Sequence, residues 1–392
     1  MFSALLSIIY ISFISLGLPD SLLGSAWPMM SDELSAPLSY MGIVSVIISL
    51  GTVISSLFAD RLTRRLGTGL VTAISVAMTA IGLLGFYLGQ SFAMICVFAV
   101  PYGLGAGAVD AALNNYVALH YSSRHMSWLH CFWGVGASVG PYVMGAAIGL
   151  GMGWRGGFGI ISALQIALSA ALFISLPLWK LHKSDKAEPK KANQASIGII
   201  GALRLSGVKA ILLAFFCYCS LEATAGLWAS SYLVEHKGVS AETAAILASM
   251  FYLGITLGRF ICGFIADRVG DKRMIRLGCF VIILGITLIA IPVKSSYPAI
   301  AGLIITGLGA APIYPSLIHA TPDNFGKENS QAIIGIQMAS AYVGILVVPA
   351  IFGGIAEAHI AFYPFFMLVF ALALLGFTER VNRVSKEHSV DF

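Results

Sequence analysis

The sequence reads SLFADRLTRR at residues 56–65 and GFIADRVGDKR at residues 263–273, so an Ala-Asp-Arg core occurs twice, 207 positions apart. Each copy follows a run of apolar residues and has further basic residues close behind its aspartate. A recurrence at this distance in a chain of 392 residues indicates that the second half repeats the first.

Further matches in the same order support the duplication. They are GLGA at 103–106 and again at 307–310, an offset of 204, and Gly136 with Pro141 against Gly344 with Pro349, an offset of 208. Asp20 and Glu222, 202 positions apart, are acidic residues inside apolar runs, and each has a glycine four residues later. We therefore predict two halves of similar fold.

Composition places the protein in a membrane. Of its residues, 58% are hydrophobic and 10% are charged, and the mean hydropathy is +0.88. These values lie outside the range of soluble globular domains. Apolar runs of about twenty residues, each able to cross roughly 30 Å of hydrocarbon as a helix, predict an all-α membrane protein.

We predict twelve transmembrane helices in two bundles of six. They cover about 4–30, 40–59, 68–89, 92–119, 127–150, 157–179, 207–233, 241–266, 274–293, 297–319, 331–356 and 360–378. A polar, basic stretch divides them, which gives an N-terminal bundle at 1–181, a linker at 182–206 and a C-terminal bundle at 207–392. Parallel repeats of this kind imply a central cavity near the middle of the membrane.

Basic residues are distributed unevenly between the predicted loops. If the N-terminus is cytoplasmic, the inner loops and tail hold nineteen of the 23 Lys and Arg residues, and the outer loops hold three. This bias predicts a multi-pass protein of the cell (inner) membrane with both termini in the cytoplasm. The net charge of +5 reflects the same bias, so we expect no nucleic-acid partner. The first helix has no preceding Lys or Arg and is expected to be retained.

These motifs resemble those of the major facilitator superfamily, over nearly the whole chain. Residues 263–273 match that superfamily's signature G-x-L-a-D-r-x-G-r-[RK], and residues 56–65 match it without the two glycines. The resemblance implies two six-helix bundles that move solutes by alternating access and have no enzymatic activity.

Charged residues near the signature are candidates for a cytoplasmic gate. An aspartate at a helix end can accept charge-assisted hydrogen bonds from arginines and from helix N-terminal amides, which would hold the bundles together. The candidates are Asp60, Arg61, Arg64, Asp267 and Arg268, joined by Arg259 near the inner end of helix 8. Alternatively, the arginines only anchor the topology.

Acidic residues at membrane depth are candidates for ion coupling. A carboxylate there costs several kcal/mol unless it is paired, protonated or hydrated. Asp20, Asp110 and Glu222 are predicted to have this role. Protonation of Asp20 or Asp110 would remove the charge while the cavity closes and reopens. We expect H⁺ or Na⁺ as the coupling ion, without a cofactor or a bound metal.

Part of the pattern resembles the sugar-proton symporter branch, which contains fucose permease and bacterial glucose/mannose permeases. In that branch an acid in helix 1, a D/E-x-x-x-N-x-[YF] stretch in helix 4 and a polar-aromatic stretch in helix 5 recur. The corresponding residues are Asp20, Asp110 with Asn114, and His130 through Trp133; YCSLE at 218–222 resembles the Y-x-G-x-E of glucose-type members, with serine replacing glycine. His130 and Trp133 stand where fucose permease has amides, so the identity of the sugar does not carry over.

A hexose or deoxyhexose carrier is therefore expected. Sugars need hydrogen-bonding side chains and flat aromatic faces in a cavity that excludes water. The candidate substrate-binding residues are Asn114, His130, Trp133, Glu222, Trp228, Tyr252, Tyr314 and Gln337. Trp228 and Tyr252 could instead be interface anchors, and Gln337 could bridge helices. His319, among prolines, is expected to be a satisfied histidine in a kinked helix.

Two other transporter types fit parts of the sequence. A drug/proton antiporter exporting apolar compounds is one, because Gly136, Gly140 and Pro141 resemble a G-x-x-x-G-P motif, although Gly145 stands alone where two glycines are expected. A sodium-coupled sugar carrier is the other, since carbonyls freed near Pro19 could bind Na⁺ beside an acid.

Non-transport functions fit poorly. A receptor would need a larger soluble domain. An enzyme would need a catalytic motif, and the sequence contains no G-x-x-x-x-G-K-[ST], no G-x-S-x-G and no metal-spaced His/Cys cluster. We expect a monomer whose partners are a small-molecule substrate and the lipid bilayer.

Overall fold

The computed structural model describes residues 4–20, 22–37, 40–179, 197–293 and 295–390, and the regular elements in these ranges are helices. They are α1 (Ala4–Gly17), α2 (Leu22–Glu33), α3 (Tyr40–Leu66), α4 (Thr68–Leu88), α5 (Phe92–His120), α6 (Ser123–Gly149), α7 (Gly153–Ile174), α8 (Gly198–Arg204), α9 (Val208–Glu235), α10 (Ala241–Val269), α11 (Asp271–Ile289), α12 (Tyr297–Ala310), α13 (Ile313–His319), α14 (Thr321–Phe325), α15 (Lys327–His359), a 3₁₀ turn (Ile360–Phe362) and α16 (Tyr363–Val390). Residues 182–196 of the predicted linker lie outside the described residues. The rest of the linker, 197–206, contains α8.

Contacts divide the chain into two compact units. The first unit comprises Met1–Tyr116 and Phe132–Gly198, and the second comprises Val117–Cys131 and Ile199–Phe392. The end of α5 and the start of α6 thus pack within the second unit, although in sequence they belong to the first half.

Ten stretches of the described chain are long and apolar enough to cross a membrane. Two features account for the difference from twelve predicted helices. Residues Lys327–Val384 count as one stretch of 58 residues, although the 3₁₀ turn separates α15 from α16. Helix α11 is not among the ten, and four charged residues lie at its start, Asp271, Lys272, Arg273 and Arg276.

Two predicted helices are broken. The first, expected over 4–30, stops at Gly17 and resumes at Leu22, with Leu18–Asp20 in a turn. The tenth, expected over 297–319, is interrupted at 311–312, where the ring of Pro312 cannot donate a backbone hydrogen bond. The first break leaves Asp20 at a helix interruption, whereas Glu222 lies within the continuous helix α9.

Glycines at helix crossings show that the two halves have the same internal packing. A Cβ atom at Gly103 would lie 2.3 Å from the carbonyl oxygen of Ile48, and one at Gly307 would lie 2.2 Å from that of Phe251. Only a residue without a side chain permits such close backbone contact, which is how helices commonly associate in lipid. The same crossing therefore occurs once in each unit.

The crossing of α1 with α6 is also repeated, as the crossing of α9 with α15. A Cβ atom at Gly136 would lie 2.1 Å from the carbonyl oxygen of Ile14, and one at Gly344 would lie 3.0 Å from that of Phe216. Ile14 and Phe216 are 202 positions apart, as are Asp20 and Glu222. The two acids consequently occupy equivalent positions of the repeat.

The two copies of the signature motif, in contrast, do not occupy equivalent positions in the structure. Matching their Ala-Asp-Arg residues gives a wrong alignment of α3 with α10. The contacts of Gly103 and Gly307 relate Ile48 to Phe251, an offset of 203. Gly67 and Gly270, which follow α3 and α10 with φ of +82° in both cases, have the same offset. The offset of 207 between the two aspartates is therefore four residues too long. Because four residues make about one helical turn, Asp60 lies one turn deeper in its helix than Asp267 does.

Alanine substitutions at the crossing glycines test the repeated packing. Gly103→Ala and Gly307→Ala are each expected to destabilise the protein by about 1–3 kcal/mol, because the new methyl group would collide with backbone atoms. Thermal unfolding of the detergent-purified protein measures the effect. Gly145→Ala and Gly354→Ala are matched controls, since a Cβ atom there meets nothing within 4 Å. Equal melting of all four variants would contradict this packing.

Candidate functional site

Asp20 is held by two neutral donors in the first unit. The indole Nε1 of Trp133 donates to its Oδ2 atom over 2.9 Å, and the hydroxyl of Tyr102 donates to its Oδ1 atom over 3.4 Å. Tyr102 is buried, whereas Asp20 itself is exposed. Each carboxylate oxygen of Asp20 thus accepts one hydrogen bond, and the residue is still exposed.

Close packing of α1 on α6 brings Trp133 to Asp20. A Cβ atom at Gly17 would lie 2.1 Å from the carbonyl oxygen of Trp133 itself, and Gly136 makes the reciprocal contact with α1. These two glycines bring the backbones together one turn from Asp20. The position of the indole is therefore fixed by the helix crossing.

A small cavity lies beside this site. Its lining includes Pro19 and Tyr102 together with the polar side chains of Ser12, Ser15 and Gln165. The Ser15 hydroxyl donates to Gln165 Oε1 over 2.7 Å, and Gln165 Nε2 donates to the Ser15 carbonyl over 2.6 Å. The break after α1 thus borders a small, mainly apolar space within the first unit.

Asp110 and Asn114 form a second polar pair in the first unit. Both side chains are buried in α5, and Asn114 Nδ2 donates to Asp110 Oδ1 over 2.8 Å and to its carbonyl oxygen over 3.0 Å. The spacing of four residues predicted this shared face. The amide of Asn114 stabilises a carboxylate that has little access to solvent.

Glu222 and Arg259 form an ion pair in the second unit. Arg259 Nη2 on α10 lies 3.7 Å from Glu222 Oε1 on α9, and the side chains are 3% and 17% exposed, respectively. Arg259 was predicted to gate the transporter or to pair with another residue, and the structure places it beside a predicted coupling residue. Each group partly offsets the cost of burying the other.

Aromatic side chains pack close to this pair. The ring of Tyr314 lies 4.5 Å from the ring of His130 and 6.1 Å from that of Tyr218, and Tyr218 is one turn before Glu222. The Tyr218 hydroxyl donates to the Ala310 carbonyl over 3.0 Å. His130 and Tyr314, both predicted substrate-binding residues, are therefore in direct contact.

Three other predicted substrate-binding residues have distinct surroundings. Trp228 Nε1 donates to the Pro349 carbonyl over 3.0 Å. Tyr252 is 47% exposed, and its hydroxyl occupies the space that a side chain at Gly226 would need. Gln337 is fully buried, and its Oε1 atom accepts a 3.0 Å hydrogen bond from Thr321 on α14. Gln337 therefore bridges two helices.

The two signature aspartates have different partners. Asp60 is buried and accepts a 2.8 Å hydrogen bond from Arg64 one turn later in α3. Asp267, at the end of α10, accepts from the Ser122 hydroxyl over 3.0 Å and from both the backbone N–H and the Nε atom of Arg124 over 2.9 Å. Asp267 thus caps the N-terminus of α6, while Asp60 pairs within its own helix.

The remaining predicted gate residues are exposed. The guanidinium of Arg61 lies 5.6 Å from the ring centre of Phe58, and Arg268 is exposed at the end of α10. Both positions are compatible with the alternative that these arginines anchor the topology.

His319 contacts Asp271, at the start of α11, and Tyr121, just before α6. Its Nδ1 atom lies 2.6 Å from Asp271 Oδ2, its Nε2 atom lies 3.1 Å from the Tyr121 carbonyl, and Ser123 donates to the other Asp271 oxygen over 2.5 Å. Since both ring nitrogens face acceptors, a protonated imidazolium satisfies both contacts. The expectation of a satisfied histidine is confirmed.

Sequence reasoning missed Tyr102, Ser122, Ser123, Arg124 and Asp271. Tyr102 is 82 residues from Asp20, so no local periodicity connects them. The two serines and the arginine begin α6, and a run of Ser, Ser and Arg before an apolar segment is a helix-start signal that could have drawn attention to them.

Comparison with known proteins identifies the family. The Major Facilitator Superfamily model matches residues 9–232 and 210–388. The glucose/mannose transporter of Bacillus subtilis is 20% identical over 397 residues, covering 97% of this chain and 95% of that protein. "Bypass of stop codon protein 6" of Saccharomyces cerevisiae is 24% identical over 287 residues, covering 67% of this chain and 57% of that protein. The chain thus spans little more than half the length of the yeast relative.

The fold is shared with solved structures. The E. coli fucose:proton symporter superposes with a TM-score of 0.75 at 16% identity, covering 97% of this chain and 98% of that one. The similarity extends over both repeats and agrees with the predicted arrangement of twelve helices in two bundles. The chain belongs to the Major Facilitator Superfamily, and it is a multi-pass membrane transporter of small molecules and not an enzyme.

Proposed function

We propose that this transporter carries a hexose or deoxyhexose together with a proton by alternating access. The observation that carries the proposal is Asp20, an accessible carboxylate at a break in a membrane helix, bonded to Trp133 and Tyr102. A carboxylate beside an indole offers hydrogen bonding and a flat apolar face, the two features that sugars require. The names of the glucose/mannose and fucose relatives support the choice of substrate class.

Proton binding at Asp20 changes its bonds to the aromatic donors. When the carboxylate is ionised, the hydrogen bond from Trp133 is charge-assisted and about twice as strong as a neutral one. Protonation of Asp20 weakens this bond. It leaves no charged partner behind, because the donors Trp133 and Tyr102 are both neutral. The indole then becomes available to the substrate, so proton and sugar binding are linked through one side chain.

The membrane potential and proton gradient supply the driving force. Each proton moving inward carries roughly 2.3 kcal/mol per 100 mV, which corresponds to about fiftyfold accumulation of substrate. The excess of basic residues in the predicted inner loops supports a cell membrane location with both termini in the cytoplasm. Import by symport would follow from proton loading at the outer face.

The contacts of Asp267 serve in this proposal as the cytoplasmic gate. They join α10 to the segment Val117–Cys131, which contains the start of α6. Asp267 and Arg124 are partly exposed, so their ion pair alone contributes only about 0–1 kcal/mol. The capping of the helix N-terminus adds a comparable amount. Weak contacts of this size can break and re-form in each transport cycle.

Replacement of Asp20 tests the coupling. Asp20→Asn should abolish accumulation of labelled glucose or fucose driven by a pH gradient in proteoliposomes, since the amide cannot carry the proton. Exchange of the same sugar across the membrane should be partly retained. Asp32→Asn, at an exposed carboxylate in α2, is the matched control and should accumulate normally. Normal accumulation by Asp20→Asn would exclude this residue as the coupling site.

Sodium removal distinguishes the two ions. Uptake by the unmodified protein at a fixed pH gradient should not change when Na⁺ is replaced by a larger organic cation. Loss of uptake under this replacement would favour a sodium-coupled carrier over the proton symporter.

Replacement of Asp267 tests the gate. Asp267→Asn should increase hydrogen-deuterium exchange across residues 117–131, because the Arg124 amide loses a charged acceptor. Mass spectrometry of the protein in nanodiscs measures this exchange. Glu357→Gln removes an exposed charge elsewhere in the same unit and should leave it unchanged. Unaltered exchange in Asp267→Asn would show that the cap does not hold this segment.

A further inference from the structure

We infer that the Glu222–Arg259 pair restricts the substrate to uncharged sugars, with Glu222 acting as the charge compensator of Arg259. The inference rests on the proposed sugar transport and names the class of sugar more narrowly. It assigns the second unit a specificity role that differs from the coupling role proposed for Asp20.

The charge content of the second half singles out this pair. Glu222 and Arg259 are the only charged residues within 210–234, 243–266, 277–293, 297–318, 329–356 and 363–378, the apolar stretches of the C-terminal helices. Arginine in such a stretch is expensive and usually faces a partner or a hydrated path. The C-terminal helices therefore offer one cation and one anion to a substrate at this depth.

Burial shows which of the two is the more accessible. The Arg259 side chain is 3% exposed and the Glu222 side chain is 17% exposed, with 3.7 Å between Nη2 and Oε1. This distance is longer than a direct hydrogen bond, so the pair is held mainly by charge. A ligand hydroxyl can therefore bond to either group without first breaking a short hydrogen bond between them.

The polar atoms of the neighbouring aromatic residues have hydrogen bonds to groups outside the pair. The Tyr218 hydroxyl donates to the Ala310 carbonyl, the Tyr314 hydroxyl donates to the Met338 sulfur, and Trp228 Nε1 donates to a backbone carbonyl. These residues offer apolar ring surface more than hydrogen bonds. Glu222 and Arg259 are consequently the charged groups that this part of the second unit offers to a ligand.

The chemistry of the pair favours neutral polyols. A sugar hydroxyl can donate to the Glu222 carboxylate and accept from the Arg259 guanidinium, which together satisfy it. A sugar acid could accept from Arg259, but its carboxylate would be repelled by Glu222. An amino sugar would be attracted by Glu222 and repelled by Arg259. Each charged residue thus excludes sugars of its own sign.

Charge-removing substitutions test this discrimination with three sugars of the same ring: glucose, glucuronate and glucosamine. Apparent dissociation constants are measured on purified protein in mildly acidic buffer by titration calorimetry. Wild-type protein should bind glucose more tightly than either charged sugar. Glu222→Gln should raise affinity for glucuronate relative to glucose by about tenfold, because Arg259 is left without its compensator.

The converse substitution predicts the opposite preference. Arg259→Gln should raise affinity for glucosamine relative to glucose by about tenfold, since Glu222 is then unopposed. The double variant should show less of either gain than the corresponding single variant. Glu357→Gln, the exposed control, should bind the three sugars as the wild type does. Unchanged ratios in the single variants, or a full gain in the double variant, would overturn the inference.

The design separates this inference from the proposed function and from misfolding. Size-exclusion profiles show which variants fold, and either single variant suffices because the two predict opposite preferences. If both fail to fold, the double variant should discriminate less than the wild type, and undiminished discrimination would count against the inference. If neither glucose nor fucose binds to wild-type protein, sugar transport is wrong. The compensator role is still judged by whether glucuronate binds Glu222→Gln more tightly than the double variant.

Discussion

A charge inside hydrocarbon has to be matched by the protein, and this requirement organises the polar residues of both units. Glu222 and Asp60 each face a guanidinium group, so loss of either negative charge would remove an ion pair. Asp20 is held by an indole and a phenol, and Asp110 by an amide. Acids with neutral donors can gain a proton without creating a new unmatched charge. The partner distinguishes Asp20, which is bonded to neutral donors, from Glu222, which faces a guanidinium group; the coupling role of each stays a prediction.

The overall fold could be predicted from the sequence because its signals are strong and need no knowledge of tertiary contacts. They are long apolar runs, the uneven distribution of Lys and Arg along the chain, and recurrences at offsets of 202 to 208 residues. The register of the signature motif could not be predicted in the same way. Its letters recur at an offset of 207, whereas the contacts of Gly103 and Gly307 relate α3 to α10 at an offset of 203. The positions of close backbone contact therefore align α3 with α10 more accurately than the similarity of the motif does.

The candidate site was only partly predictable. Trp133 was found through a family resemblance, but its hydrogen bond to Asp20 depends on the crossing of α1 and α6. Tyr102 joins the same carboxylate from a distance of 82 residues, and Arg124 reaches Asp267 across 143 residues through its backbone N–H. Partners brought together by tertiary packing leave no periodic signal in a single sequence. Freed carbonyls near Pro19 were expected, but one helix was predicted over 4–30 because the residues that flank the interruption at Pro19 and Asp20 are apolar.

The segment Val117–Cys131 has a consequence for how the chain can be divided. The linker looks like the natural place to separate the two repeats as independent polypeptides. A cut there would nevertheless remove the start of α6 from the carboxylates of Asp267 and Asp271 that bind it. The N-terminal fragment would then carry an uncapped helix end. In the C-terminal fragment Asp267 would lose Ser122 and Arg124, and Asp271 would lose Ser123 but keep His319. Split versions of this protein should thus work only when both pieces are synthesised together and reassemble.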